Sequence, residues 1–230
     1  MLGSNTTRSN GTTGKTRKRY SDVDTKTTPM SEADIDQVVN SRRPYFQSSN
    51  SFTINQKLRD MKDGDTLEDV FTGWHVDNLD TVRAMDRNML PLNKDINVAR
   101  MAAFEYLDII LKSAGFSMND VYNAIDGDRE VIARMNAKLA GVIVYEKSYM
   151  STSYRTNSFN GAFTDRPLKM NVTATAGTHA MFNPNPRKED NESEMVFARG
   201  TGQRLIEFYY SNNQLQVRTQ TVPQTKVKKS

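Results

Sequence analysis

The apolar positions of this chain change period at about residue 90. Before that point they recur at helical spacing. Ser31, followed by Glu32, Ala33 and Asp34, reads as an N-cap with acidic residues in the first turn, and Ile35, Val38 and Val39 continue the helix. Phe52, Ile54 and Leu58 mark a second helix. Trp74, Val76, Leu79, Val82 and Met85 mark a third, entered after Gly73. Met101, Phe104, Leu107 and Leu111 predict another that ends near Gly115, and residues 129–140 form a further amphipathic stretch. The later part of the chain reads as strands at 142–145, 148–153, 167–174, 178–182, 193–199, 203–210 and 214–220. These are rich in Val, Thr, Phe and Tyr, with Gly, Asn or Pro between several of them. Ser211-Asn212-Asn213-Gln214 predicts a hairpin turn. Helices first and strands later imply an α+β domain.

The ends are polar. Residues 1–28 are rich in Ser, Thr, Asn and Gly around a basic knot at Lys15, Arg17, Lys18 and Arg19, which predicts a disordered arm. Residues 223–230, with Lys226, Lys228 and Lys229, predict a basic tail, leaving 29–222 as the folded domain. The length of 230 residues suits one domain with such tails, and a 37% hydrophobic content is enough for a core. The absence of cysteine excludes disulfides and thiolate metal sites, and two histidines, His75 and His179, make a His-rich metal centre unexpected. The net charge of +4 is mild and gives little reason to expect a nucleic-acid partner. No leader-like apolar stretch opens the sequence, and no run of about 18 apolar residues predicts a membrane span. A protein of this kind that acts in another cell would have to be injected, carried by a partner or delivered by a phage.

Three pieces carry candidate chemistry. Arg100 ends the short apolar run Ile96-Asn97-Val98-Ala99. Ser151-Thr152-Ser153 follows Tyr149 and Met150. Glu192-Ser193-Glu194 leads into Met195-Val196-Phe197. Residues two apart on a strand share a face, so a strand over 192–199 sends both carboxylates into one cleft and Met195 and Phe197 toward the core. Paired carboxylates suit acid–base work or stabilisation of developing positive charge. Taken singly, each piece has a plainer reading: a solvated acidic loop beside Glu189 and Asp190, a β-prone Ser/Thr run, a surface arginine.

In this order and at these separations the pieces resemble the Arg-Ser-Glu class of mono-ADP-ribosyltransferases. The likeness is to single-domain clostridial Rho-modifying exoenzymes and to the catalytic subunits of actin-modifying binary toxins. It spans roughly residues 31–220. It includes the stretch Ser51 to Arg59, the run Pro91-Leu92-Asn93-Lys94-Asp95-Ile96 ahead of the arginine strand, Gly161-Ala162-Phe163, Arg166-Pro167-Leu168 and Gly177-Thr178-His179-Ala180. The resemblance implies N-terminal helices packed on a two-sheet β-sandwich that binds NAD as co-substrate, without a metal. It implies that Arg100 and Arg166 contact NAD phosphates. It places Ser151, with Thr152 and Ser153, at the nicotinamide-ribose pocket, with Ser151 also supporting the catalytic carboxylate, and Phe163 near the nicotinamide. Glu194 would be the catalytic glutamate and Glu192 the acceptor-side carboxylate, with Phe182 near the start of the recognition loop. Glu in the first position goes with arginine acceptors, so the implied activity is transfer to a protein arginine, with NAD hydrolysis as a side reaction.

The flanks of Arg100 depart from the family, which places an aromatic residue before the arginine and glycine after it. Here Ala99 and Met101 stand in those positions, and Arg83 and Arg87 remain alternatives for the phosphate role. The expected protein is a monomeric toxin or effector acting on a cytosolic target, with actin the first guess. A phage-borne transferase acting on bacterial host proteins, and a catalytically inactive basic binding module, are the other readings.

Overall fold

The computed structural model describes residues 48–154, 165–182 and 194–223. The expected arm, the helix opened by Ser31, most of the basic tail, Phe163 and Glu192 lie outside these residues.

Three helical segments come first. Helix α1 spans Ser48–Asp60, α2 spans Leu67–Val70, and a 3-10 turn at Gly73–His75 leads into α3, Val76–Asn88. Thr66 and Asp69 cap α2 reciprocally: the Thr66 hydroxyl accepts from the Asp69 N–H and the Asp69 carboxylate accepts from the Thr66 N–H. Ile54 and Leu58 face inward as their spacing predicts, but Phe52 is 70% exposed. At about 100° per residue it sits some 200° from Ile54, on the opposite side of α1. Trp74 lies in the 3-10 turn and Val76 is exposed, so the buried stripe of α3 begins at Leu79.

Strand β1, Leu90–Pro91, is short. Strand β2 covers Ile96–Ala102 and carries both Arg100 and Met101. The helical stripe predicted from Met101 therefore starts three residues later, in α4, Phe104–Ser113. Gly115 follows at φ +78°, a conformation suited to ending a helix. Helix α5, Met118–Ile125, was not predicted, although Ser117 and Asp120 form a reciprocal cap at its start. Helix α6, Arg129–Leu139, is capped by Asp128. The remaining strands are β3 Ile143–Tyr145, β4 Met150–Ser153, β5 Leu168–Ala174, β6 His179–Phe182, β7 Glu194–Phe197, β8 Gly202–Ser211 and β9 Gln214–Val222. Asn212 and Asn213, both at φ +55°, turn β8 into β9, as the Asn-Asn pair predicts.

Among the described residues the nine strands are hydrogen-bonded in the order β1-β6-β7-β4-β2-β5-β9-β8-β3. The join between β4 and β2 is a single pairing, Ala99 with Ser153. The order thus divides at that point into a four-strand and a five-strand half of one nine-strand sheet, where two sheets were expected, and with the helices it makes the expected α+β architecture. Helices α1 and α3 cover one face of the four-strand half, where Ile54, Leu58, Val82 and Met85 meet Tyr149, Met181 and Val196. The larger core lies between the five-strand half, the inward side chains Met150, Met195 and Phe197, and helices α4 to α6. Met195 and Phe197 are buried as expected, and so is Val196, because β7 is covered on both faces.

Candidate functional site

Strands β4 and β7 run antiparallel, with Ser151 opposite Val196, Thr152 opposite Met195 and Ser153 opposite Glu194. Side chains two apart share a face, so Ser151, Ser153 and Glu194 stand together. The Ser151 hydroxyl donates to Oε1 of Glu194 at 2.5 Å. A hydrogen bond to an ionised acceptor is shorter and about twice as strong as a neutral one, and it fixes the carboxylate's direction. Thr152 points the other way and donates to the Met195 carbonyl at 2.7 Å from a buried position, locking the two strands side by side. Ser151 and Thr152 therefore divide their work, with Ser151 on the carboxylate and Thr152 on the backbone beneath it.

The row continues across the sheet from Glu194 through Ser153 to Ala99 on β2. At a strand spacing of about 4.8 Å it spans about 10 Å. Arg100 is the next residue. Its Nη1 lies 3.7 Å from Oε2 of Glu146, and its guanidinium sits 5.6 Å from the centre of the Tyr106 ring. Glu146 is buried. Its Oε1 accepts from the Ser148 N–H and hydroxyl, at 3.2 and 2.8 Å, and from Arg59 Nε on α1 at 3.4 Å. Arg166, just before β5, donates to the Met101 carbonyl at 2.9 Å. Burial first, then the charge of Arg100, push the Arg166 guanidinium below its ordinary value; Arg59 acts in the same direction and Glu105 opposes them. An arginine stays charged under such a load, so Arg59, Arg100 and Arg166 gather three positive charges around the carboxylates Glu146 and Glu105. Nη1 of Arg100 and the Tyr106 hydroxyl are buried without a hydrogen-bond partner among the described residues. An excess of guanidinium donors with unmet hydrogen-bonding capacity fits a pyrophosphate.

The alternative arginines are placed differently. Arg83 is engaged on the exposed side of α3 by Glu68 and, at 3.8 Å, by Asp80, and Arg87 is exposed on the same helix.

A buried polar network stands behind β4. The Tyr149 hydroxyl lies 2.6 Å from Oδ1 of Asp86 and 3.0 Å from the Val82 carbonyl, while its backbone N–H donates to Oδ1 of Asn55 at 3.1 Å. Asp86 also holds Arg199, which follows β7. Helices α1 and α3 thus grip the entry to β4 and the exit from β7. Sequence reasoning does not single out Asp86, Arg199, Asn55 or Glu146, and takes in Arg59 only as part of its helix. The available signal was Asp86 itself, a carboxylate inside the apolar stripe Leu79, Val82, Met85, where an unpaired charge is not tolerated. At the open end, Phe182 pairs edge-on with Tyr154, ring centres 6.2 Å apart, and both remain exposed. Phe182 is opposite Met195 in the register, one residue beyond Glu194.

This arrangement has parallels among known proteins. No curated protein sequence matches the chain. Solved structures with the same fold include Plx2a, an ADP-ribosyltransferase toxin from Paenibacillus larvae (19% identity, covering 90% of this chain and 92% of that one, TM-score 0.57). They also include C3stau2 from S. aureus with NAD (18% identity, 86% and 99% coverage, TM-score 0.59). The enzymatic component C2-I of the C2-toxin from Clostridium botulinum is similar over 94% of this chain and 48% of its own, at 13% identity and a TM-score of 0.58. The family described as ADP-ribosyltransferase exoenzyme matches residues 18–226, a span that takes in the Arg100 cluster, the Ser151–Glu194 pair and nearly the whole chain, and this protein belongs to that family.

Proposed function

We propose that this chain transfers ADP-ribose from NAD to an arginine side chain of a cytosolic protein and releases nicotinamide. The observation that carries the reading is the Ser151 hydroxyl donated to the Glu194 carboxylate at 2.5 Å, one strand away from the arginine-bearing β2.

Bound NAD supplies an activated glycosidic bond between the ribose C1′ and the nicotinamide nitrogen. Arg100 and Arg166, with Arg59 beside them, hold the pyrophosphate and so fix the far end of that bond. Ser151 holds Glu194 facing the ribose, where it accepts a hydrogen bond from the 2′-hydroxyl. As the C1′–N bond breaks, positive charge develops at C1′, and a carboxylate already oriented stabilises it without reorganising. Ser153 and Thr152 keep β4 and β7 in register beneath this point, and Phe163 packs by the nicotinamide. An acceptor guanidinium is a poor nucleophile because it is protonated. Glu192 orients it and takes its proton as the new C1′–N bond forms. Water in the acceptor's place gives NAD hydrolysis as the side reaction. The exposed Tyr154–Phe182 pair lies on the acceptor side and suits contact with the protein substrate.

The fold and family support this reading, the Glu-x-Glu pattern supports arginine as acceptor, and actin is the first target to test. Purified protein is incubated with labelled NAD and purified actin, animal-cell lysate or bacterial lysate, and the labelled residue is mapped by mass spectrometry. The expected result is label on an arginine, and nicotinamide release even without lysate. Label confined to bacterial proteins would move the target to a bacterial host. Absence of both label and nicotinamide release in every arm would leave a binding module instead.

A further inference from the structure

Two buried polar atoms near the arginine cluster have no hydrogen-bond partner among the described residues: Nη1 of Arg100 and the hydroxyl of Tyr106. Leaving a buried hydroxyl unmet costs folding free energy, and a native chain rarely keeps one without a use. Replacing Tyr106 by Phe would remove that cost while keeping the ring that packs under the Arg100 guanidinium. The fields of both Arg100 and Glu146 reach the phenol, and burial together with Glu146 pushes its ionisation up, so it remains a neutral O–H donor. Arg100 lies over the phenol ring, Arg166 feels its charge, and Arg59 shares Glu146 with it, so this arginine cluster selects an anionic oxygen as the missing acceptor.

We infer that Tyr106 is a further dinucleotide-binding residue, its hydroxyl donating to a pyrophosphate oxygen held at the same time by Arg100. This rests on the proposed NAD site at Arg100. The aromatic ring and the hydroxyl then have separate tasks. The ring carries the guanidinium from below, and the hydroxyl completes the donor set that the guanidinium leaves open. The bond forms only in the complex, so the ligand-free protein carries the unmet donor as a standing cost.

The test is Tyr106→Phe, with NAD and ADP-ribose binding measured by calorimetry and ligand-free stability by urea unfolding. The Phe variant is expected to bind both ligands about tenfold or more weakly, the scale of a lost hydrogen bond to a charged group. It should bind adenosine as the wild type does and unfold at the same urea concentration or higher. KM for NAD should rise while kcat changes little. Equal affinity of variant and wild type for NAD would overturn the inference and leave the proposed site standing. So would a lower unfolding midpoint in the ligand-free variant, which would mean that the hydroxyl already has a partner. A loss confined to NAD, with ADP-ribose unaffected, would also overturn it, because it would place the hydroxyl at the nicotinamide end. Failure of the wild type itself to bind either ligand would remove the site on which the inference rests.

Discussion

Asp86 on α3 holds Arg199, the second residue after β7, through both Nε and Nη2, at 2.8 and 2.7 Å to Oδ2, and both side chains are buried. Tyr149 donates to the other oxygen of the same carboxylate, so one aspartate joins a helix to the two strands that carry Ser151 and Glu194. Removing one partner leaves the other as a buried, uncompensated charge. Asp86→Ala and Arg199→Ala are each expected to destabilise the fold by about 3–5 kcal/mol. The double change Asp86→Leu with Arg199→Met should cost less than either single change, since no lone charge remains. Urea unfolding midpoints of the three variants check this; a double variant as unstable as the sum of the singles would contradict it.

That pairing was beyond reach in the sequence, because it joins residues 113 positions apart and neither one carries a local motif. Local chemistry was legible where it acts locally. The Asn212-Asn213 turn is one case, the strands from β3 onward another, and the buried Ile54 and Leu58 a third. The pattern extends the helix back to Met101 because Met101, Phe104 and Leu107 mimic one helical face, while Ala103, the actual cap of α4, offers no side-chain signal. Helix α5 leaves no apolar period in the sequence because it is short and buries only Val121 and Ala124. At the site, the ordered motifs name Ser151 and Glu194, and the resemblance implies that Ser151 supports the catalytic carboxylate; only the geometry of the contact is absent from the local sequence. The two residues stand 43 positions apart and meet only through the register of β4 and β7.

Because Ser151 acts on Glu194 rather than on the fold, its loss should show in kinetics and not in stability. Glu194→Gln is expected to lower NAD hydrolysis and transfer by at least about 10²–10³-fold, the scale of one electrostatic transition-state contact. Ser151→Ala should lower kcat by a smaller factor and leave the carboxylate in place but unoriented. Both variants should unfold within about 0.5 kcal/mol of the wild type, as partly exposed positions do. Initial rates of nicotinamide release, measured beside circular dichroism melts, separate the two effects. Full activity in Glu194→Gln would remove it from the chemistry.

The cap of α5 supplies a pH signature. Asp120 accepts from the Ser117 hydroxyl and N–H at 2.7 and 2.9 Å, and Arg134 reaches its other oxygen. The Ser117 hydroxyl bond first, then the backbone bond, then Arg134, hold its carboxyl at about 2, below the ordinary value of 3.8. A depressed carboxyl stabilises the fold above its unfolded value, and that contribution is lost as pH falls through the folded value. The wild type should therefore exceed Asp120→Asn in stability at pH 6, and the gap should close between about pH 4 and pH 2. Urea midpoints of both proteins across that range show the convergence; a gap unchanged at pH 2 would mean that the carboxylate charge contributes nothing to the cap.

Glu192 separates the two halves of the proposed reaction. Breaking the bond to nicotinamide requires a carboxylate at the ribose, the task given to Glu194, and proceeds whether water or a guanidinium follows. Water attacks through a neutral lone pair and releases its proton to solvent afterwards, whereas the guanidinium, with a pKa above about 12, is protonated and needs a second carboxylate to take its proton as it attacks. Glu192→Gln keeps the size and hydrogen-bonding reach of the side chain and removes its ability to take that proton. Transfer to protein arginine should fall by about 10²-fold or more, the usual contribution of a positioned general base. Nicotinamide release without acceptor should stay within a few-fold of the wild type. Parallel loss of both activities would place Glu192 at the ribose with Glu194, and loss of neither would return it to the solvated acidic stretch beside Glu189 and Asp190.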